Sequence, residues 1–532
     1  MKYLKMKYLK NFYYISLDYY YKTKYFVYFN IFLNVLFINY IYYTFFGVTN
    51  DKLIVLLNYS INLNGCIIIK LVQWLNNHIL FIKNDENKNN AIIELFSKYY
   101  ENCSIHNLKY TKTLFFQEFG YVFDDIFILD ETCYIKSGSI AQVYKAYFKN
   151  NHSINNGYSI KNPIAIKVVH PEIEYQILFP IYFMNMYKFF VTNFTFLKKY
   201  DTIINYDSFF LNLKNQINMI NEYKNNEYFY NKYINNDVIV IPKPLIKSKN
   251  FLIMEYIEGE FLEKLDVSIY KKQLLISFLS IFIKDTYMFG KYIHCDLHDA
   301  NWKVLKQKKN NDANDANDAN DANDANDDVY KIIIYDFGYI IENNLNEHIQ
   351  NLIYYLDLNN TYEIGKIVFE HIENLKIKDT NSLEFLAYKE NIIGKFVKYN
   401  ERCYPYTDSN IYACYNFCHS YDYKLKNNLL DLFVSSMLLN KYFKKYLFYN
   451  TNIIDETSKF DEKKYYKSVY DINLFYINIC EKYDIFHNVK ELLYKKYVAN
   501  SFFIEKISYN NNYFNSLIED KDLINKNNNF DI

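Results

Sequence analysis

His294-Cys-Asp-Leu-His-Asp-Ala-Asn301 and Ile332-Ile-Ile-Tyr-Asp-Phe-Gly338 are the two stretches from which this chain is read. The first sets the carboxylate of Asp296 two residues after an imidazole and five before the amide of Asn301. The second brings Asp336 to the end of an isoleucine run, where a strand gives way to a turn containing glycine. Carboxylate and amide oxygens are the ligands that magnesium takes. A carboxylate beside an acceptor can position it or take its proton.

Two upstream stretches complete the set. Pro163-Ile-Ala-Ile-Lys-Val-Val169 alternates as a strand and projects the Lys167 ammonium from a rigid element. Lys136-Ser-Gly-Ser-Ile-Ala-Gln-Val143 precedes it. Phosphoryl transfer needs a cation on the nucleotide phosphates, a carboxylate at the acceptor and oxygen ligands for metal ions. The order and spacing are those of a kinase nucleotide lysine, catalytic loop and metal loop. Any one motif arises easily by chance; four in order do not. Laying Val143 on the last position of a kinase glycine-rich loop puts Lys136, Gly138 and Ala141 on its three glycines, so only Gly138 is kept. Cys295 replaces the arginine of the usual catalytic loop. These departures exclude an ordinary protein kinase.

Composition bounds the rest. In 532 residues, 60 Lys+Arg balance 60 Asp+Glu, which argues against a generally basic nucleic-acid binder. Tyr (60) and Phe (44) are abundant and Gly (10) and Pro (6) scarce, so each glycine and proline is informative. Eight irregularly spaced cysteines make no disulfide scaffold. Cys403, Cys414, Cys418 and His419 cluster without a paired CxxC and read as ordinary buried thiols better than as zinc ligands.

Residues 1–24 carry six lysines against Asp18, and residues 25–50 carry no charge. A helix of about 20 apolar residues spans a bilayer. A basic leader followed by such a run suits an organelle-targeting sequence with a membrane anchor. Asn30, Asn34 and Asn39 oppose this, since unpaired amides are costly in lipid. A secretory signal and a buried tyrosine-rich helix are the competing readings. Residues 52–125 and 172–235 show helical spacing, and Val238–Ile241 and Phe251–Met254 read as strands of one sheet. The Asn-Asp-Ala triplets of 311–327 read as a disordered tip between two hairpin strands, Trp302–Gln307 and Val329–Tyr335.

The residues resemble the UbiB family of atypical kinases, also called aarF-domain-containing kinases. Lys70-Leu-Val-Gln73 resembles the family's Lys-x-Gly-Gln signature, with Val72 for the glycine. Gln216-Ile-Asn-Met-Ile-Asn-Glu222 resembles its Gln-Leu-Asp-Leu-x-x-Glu helix, and Met254-Glu-Tyr-Ile-Glu-Gly259 its hinge. His294–Asn301 resembles His-Ala-Asp-Pro-His-Pro-Gly-Asn, with Asp299 and Ala300 departing. Ser137-Gly-Ser-Ile-Ala-Gln-Val-Tyr-Lys-Ala146 resembles the family's mitochondrial branch.

The resemblance implies an α+β, atypical protein-kinase-like bilobal fold with an N-terminal helical extension and a mainly helical C-terminal region. It implies ATP and Mg2+ as cofactors. ATP would be bound by Lys167, Glu222, Ser137, Gly138, Ser139, Val143, Glu255, Lys70 and Gln73, the metal by Asn301 and Asp336, with Asp296 catalytic. It implies a kinase or ATPase supporting ubiquinone biosynthesis or lipid homeostasis at the mitochondrial inner membrane, with a plastid-type organelle as the alternative. Partners would be a small-molecule or lipid substrate, the membrane and a quinone-biosynthesis complex, with no nucleic acid. A catalytically silent scaffold gated by nucleotide or lipid is the other reading. The expected order is a leader (1–24), an anchor (25–50), a helical extension (51–125), a smaller lobe (126–260), a larger lobe (261–420, insert 308–328) and a helical C-terminal region (421–532).

Overall fold

The computed structural model describes residues 2–47, 49–73, 103, 105–130, 136–149, 158–193, 206–307, 328–358, 360–377, 379–400, 407–421, 423–426, 429, 432, 435, 439, 442–447 and 462–498. The Asn-Asp-Ala tract and Cys403 lie outside them. The strands in chain order are β1 (Phe127–Leu129), β2 (Lys136–Ser137), β3 (Ala141–Phe148), β4 (Ile164–Val169), β5 (Ile239–Val240), β6 (Pro244–Lys247), β7 (Phe251–Glu255), β8 (Tyr292–His294), β9 (Trp302–Gln307), β10 (Val329–Ile334) and β11 (Ile340–Glu342). The chain divides into two compact units, Met1–Lys224 with Lys243–Tyr256, and Asn225–Pro242 with Ile257–Ile532.

The first unit is built on an antiparallel sheet in the order β1-β3-β4-β7-β6, with β2 on β3. β4 is buried along its whole length, which is why its sequence is apolar on both faces apart from one lysine. Ile164, Ile166 and Val168 face Phe115 of the helix Leu108–Phe119 and share a core with Tyr144, Phe148, Phe251 and Ile253. That helix starts where the Asn107 side chain accepts from Lys109 N–H at 2.8 Å and stops at Gly120, whose φ of 75° is left-handed. Ala165 and Val169, on the opposite face, pack with Ala141, Leu252 and Met254 beneath Cys66, Ile67, Leu213 and Met219.

The N-terminal helix Lys2–Phe46 is long and apolar enough over Ile15–Phe46 to cross a membrane. One of its faces is nevertheless buried. Tyr25, Phe29, Phe32 and Val35 are covered, and Phe29, Phe32 and Val35 pack with Leu57 and Ile61 of the helix Asp51–Asn64 and with Ile68, Ile69 and Val72. Lys24 pairs with Glu172 at 2.7 Å. The asparagine amides are not stranded: Asn30, Asn34 and Asn39 donate to the carbonyls of Phe26, Asn30 and Val35, four residues back, at 2.8–2.9 Å. That removes much of their cost in an apolar setting.

In the second unit β9 and β10 form an antiparallel hairpin running from Gln307↔Val329 to Trp302↔Ile334. β5 joins β10 in parallel through Ile239↔Ile332 and Ile333↔Val240, and β8 pairs with β11. Val238–Ile241 and Phe251–Met254 therefore belong to different sheets, contrary to the sequence expectation. Local alternation shows that a segment is a strand but not which partner it takes. The helix Ile269–Phe289 is apolar nearly all round because it is buried nearly all round, and its N-cap Ser268 accepts from Lys271 N–H at 3.2 Å. It shares one core with β5, β9, β10 and the helices Glu462–Lys482 and His487–Leu493. Tyr233 and Lys232 both engage Asp285, each at 2.6 Å.

Candidate functional site

In the first unit, Lys167 and Glu222 form an ion pair at 2.6 Å. Lys167 is 9% exposed and Glu222 2%. β4 supplies the lysine, and the first turn of the helix Met219–Tyr233 supplies the carboxylate. Val143 sits opposite Lys167 on β3 and Leu252 opposite it on β7, so the ammonium emerges from an apolar strip. Glu255 is not brought to this group. It stands one residue past Met254, on the other face of β7, and its carboxylate accepts from Lys243 N–H at 3.3 Å.

The Ser137–Ser139 turn joins β2 to β3, with Ser137 buried and Gly138 exposed. Gly138 N–H donates to the Ala141 carbonyl at 3.0 Å. A Cβ at Gly138 would meet only Ala141 O at 3.5 Å, so the protein itself does not require glycine there. Behind the turn is a buried polar network. His170 Nε2 lies 3.0 Å from the Gly138 carbonyl and 3.3 Å from Ser137 Oγ. His170 Nδ1 lies 3.0 Å from His106 Nδ1, and His106 Nε2 lies 3.0 Å from Thr111 Oγ1. Burial pushes the His106 imidazole down to about 4, with the neighbouring His170 adding to the effect, and burial lowers His170 as well.

Lys70 and Gln73 lie on a helical segment, 66–73, whose Cys66 and Ile67 cover the Lys167 face of the sheet. Gln73 is buried and Lys70 half-buried. Burial pushes the Cys103 thiol up to about 11, opposed by the Lys70 ammonium. Val72, where the family signature has glycine, does not face the Lys167 side of the segment. Helical spacing turns Val72 with Ile68 and Ile69 onto the face that packs with the N-terminal helices, away from the face carrying Ile67.

In the second unit, Asp296, Asn301 and Asp336 are brought together by backbone bonds. His294 is wholly buried, and its Nδ1 accepts from Asp296 N–H at 3.2 Å while its Nε2 meets the Asp336 carbonyl. Burial holds this imidazole down at about 4, with Asp296 and Asp336 pulling the other way. The neutral ring thus donates to one loop and accepts from the other. Asn301 Nδ2 donates to the Asp296 carbonyl at 2.7 Å, and Asn301 O accepts from Tyr335 N–H at 3.0 Å. Asp336 Oδ1 accepts from Gly338 N–H at 2.8 Å. Phe337 stacks on Phe229 at 5.0 Å, and its carbonyl accepts from Asn225 Nδ2 at 3.0 Å. His298 Nε2 stands 3.8 Å from Asp296 Oδ1.

Asn301 and Asp336 fit magnesium. Asn301 Nδ2 donates to the Asp296 carbonyl, which leaves its amide oxygen as the atom able to ligate a cation, so the donor set is all oxygen. Among the described residues no group of three or more His, Cys, Asp or Glu side chains could hold a metal. Cys414 and Cys418 are buried thiols, and burial raises Cys418.

The sequence reading missed His106, His170 and the coupling role of His294. His170-Pro171 immediately after the lysine strand was the available signal for one of them; His106 carries none.

Residues 99–391 match the ABC1 atypical kinase-like domain. The chain is similar to "Probable serine/threonine-protein kinase abkB" of Dictyostelium discoideum, 28% identical over 40% of this chain and 32% of that protein. It is similar to "ABC1 family protein MCP2" of Saccharomyces cerevisiae, 26% identical over 40% of this chain and 37% of that one. The chain thus spans about a third of the length of the curated relatives it matches. Among solved structures it is similar to Rv3197 in complex with erythromycin from Mycobacterium tuberculosis, with 14% identity, 56% of this chain and 67% of that chain covered, and a TM-score of 0.36. It is also similar to the Rio2 kinase–ADP/Mg2+–phosphoaspartate complex from Chaetomium thermophilum, with 9% identity, 70% and 96% covered, and a TM-score of 0.25. The matched domain takes in more than half of the chain and carries the lysine–glutamate pair and both acidic loops, so the protein belongs to the ABC1 atypical kinase-like family, the group its motifs resemble as UbiB or aarF-domain kinases.

Proposed function

We propose that the protein is an ATP-dependent phosphotransferase or ATPase that uses magnesium and acts on a small-molecule or lipid acceptor at an organelle membrane. The observation that carries this reading is the Lys167–Glu222 pair. A buried ion pair seldom stabilises a fold more than apolar residues of the same size would. Here it holds an ammonium in one direction on a rigid strand, which is what a phosphate group needs.

In this reading Lys167, oriented by Glu222, binds nucleotide phosphates, and the Ser137-Gly138-Ser139 turn and Val143 line the nucleotide. Lys70 and Gln73 belong to a cover that excludes peptide substrates. Asn301 and Asp336 hold the metal; when bound, magnesium neutralises charge on the phosphate oxygens. Asp296 orients the acceptor hydroxyl or water and takes its proton, with His298 Nε2 steadying the carboxylate. Glu255 is left with its backbone as its means of contacting nucleotide.

Support for a membrane site comes from the uncharged run of residues 25–50 and from exposed Phe26, Phe37, Phe45 and Phe46 on its helix. We place the protein at the mitochondrial inner membrane, in ubiquinone biosynthesis or lipid homeostasis, within the domain order set out above.

ATP turnover by the purified chain, with and without magnesium, tests the enzymatic reading; no turnover above a Lys167→Met control would favour the silent scaffold. A lipid comparison of depleted and normal cells, centred on quinones, tests the acceptor class. A reporter carrying residues 1–60 that stays in the cytosol would count against the membrane assignment.

A further inference from the structure

The buried histidine pair behind the Ser137–Ser139 turn has no part in the roles assigned so far. Its hydrogen bonds determine where the protons sit. The Gly138 carbonyl can only accept, so His170 Nε2 carries the proton that meets it at 3.0 Å. A neutral ring protonated there has its lone pair on Nδ1, which faces His106 Nδ1 at 3.0 Å. His106 must therefore donate across the pair, leaving its own Nε2 to accept from the Thr111 hydroxyl. Thr111 in turn accepts from the Tyr144 hydroxyl at 2.9 Å, and that oxygen accepts from Gln142 Nε2 at 2.6 Å. With both rings neutral, every donor from Gln142 to Gly138 meets an acceptor.

The turn is held twice by the same residue, since His170 also donates its backbone N–H to the Ile140 carbonyl at 3.0 Å. Gly138 N–H is occupied by Ala141 O, whereas the N–H groups of Ser139 and Ile140 have no acceptor among the described residues. Two consecutive unoccupied N–H groups at a turn suit an anionic oxygen. A glycine-rich loop can adjust its backbone to phosphate. This turn, with serines on both sides of its one glycine, needs its shape set from outside.

We propose that His170, oriented by His106, is the positioning residue of the Ser137–Ser139 turn, holding its backbone so that the Ser139 and Ile140 N–H groups are set for a nucleotide phosphate. The proposal rests on the nucleotide-binding reading of the turn. Other titratable groups around the pair are Tyr110, 5.1 Å from the His106 ring, and Tyr144, at 6.5 Å. Glu172, two residues beyond His170, is engaged by Lys24 and Tyr25.

The test uses the full chain, with amide hydrogen exchange across residues 136–142 and calorimetric affinity for ADP with magnesium. In His170→Phe, Gly138 amide exchange should rise and ADP affinity should fall, each by about tenfold, the scale of one hydrogen bond, while β4 amides keep their rates. His170→Gln restores an N–H toward Gly138 and should recover both to within about threefold. His106→Asn keeps a donor toward His170 and should resemble wild type, whereas His106→Leu should not; this pair carries the test if His170→Phe fails to fold. Unchanged exchange and affinity in folded His170→Phe, or in His106→Leu, overturn the proposal. If exchange quickens but the wild-type chain binds no ADP, the positioning role stands and the nucleotide reading falls instead.

Discussion

The two loop systems of this protein are held in opposite ways. In the second unit the Asp296–Asn301 loop is tied within itself by short-range bonds, and one neutral imidazole, His294, joins it to the Asp336 carbonyl. His294 reaches Asp296 N–H two residues on, and Asn301 closes back on the Asp296 carbonyl. In the first unit the Ser137–Ser139 turn is shaped by residues far apart in sequence, with His170 and His106 meeting across 64 positions. The Asp296–Asn301 loop thus carries much of its geometry in its own spelling. The Ser137–Ser139 turn is contacted by His170, which directly follows β4, and through it by His106, just before the helix Leu108–Phe119.

The sharpest break of this contrast is in the acidic loops. Asp336→Asn removes charge from the metal, and nucleotide binding by the variant should lose its dependence on magnesium entirely. Asp296→Asn should retain binding while turnover falls by about 10²–10⁴-fold, the range for a lost general base. Calorimetry and steady-state turnover on both variants check the division; equal loss of binding in the two would collapse it.

Smaller effects probe the first unit. Glu222→Ala leaves the Lys167 ammonium buried without its carboxylate and should cost about 3 kcal/mol in chemical denaturation, reduced to the extent that Lys167 turns to solvent. The histidine pair sets an acid limit. His106 is held below its ordinary 6.5, so its neutral form is favoured on folding. Its contribution is complete above 6.5 and is lost as pH falls toward 4, an acid loss of about 1–2 kcal/mol after allowance for solvent screening. Melting curves between those pH values should show that loss in wild type and less of it in His106→Asn. The smallest change is expected for Gly138→Ala. Its Cβ meets only Ala141 O, and its φ is not left-handed, so stability should shift by less than about 1 kcal/mol.

Gly259 shows how the same residue type can be constrained at a second place. A Cβ there would approach Ile333 Cδ1 at 2.7 Å, Tyr335 Oη at 2.8 Å and Lys303 Cβ at 2.9 Å, and Tyr335 Oη donates to the Ile257 carbonyl at 3.0 Å. Gly259 was legible as the end of the hinge motif, but the reason for it lies in β9 and β10.

Much of the fold class and the membership of the acidic clusters could be read from residues alone, because those features are local. Alternation made β4 a strand, and the β9–β10 hairpin pairs Trp302–Gln307 with Val329–Ile334, one residue short of the expected end at Tyr335. What only the tertiary structure decided depends on partners distant in the chain. β5 pairs with β10 and not with the sheet holding β7, since strand character does not name a partner. Val72 faces the N-terminal helices, and the amides of Asn30, Asn34 and Asn39 fold back on their own helix. His106 and His170 meet only in the tertiary structure, which buries two imidazoles distant in sequence with their Nδ1 atoms 3.0 Å apart.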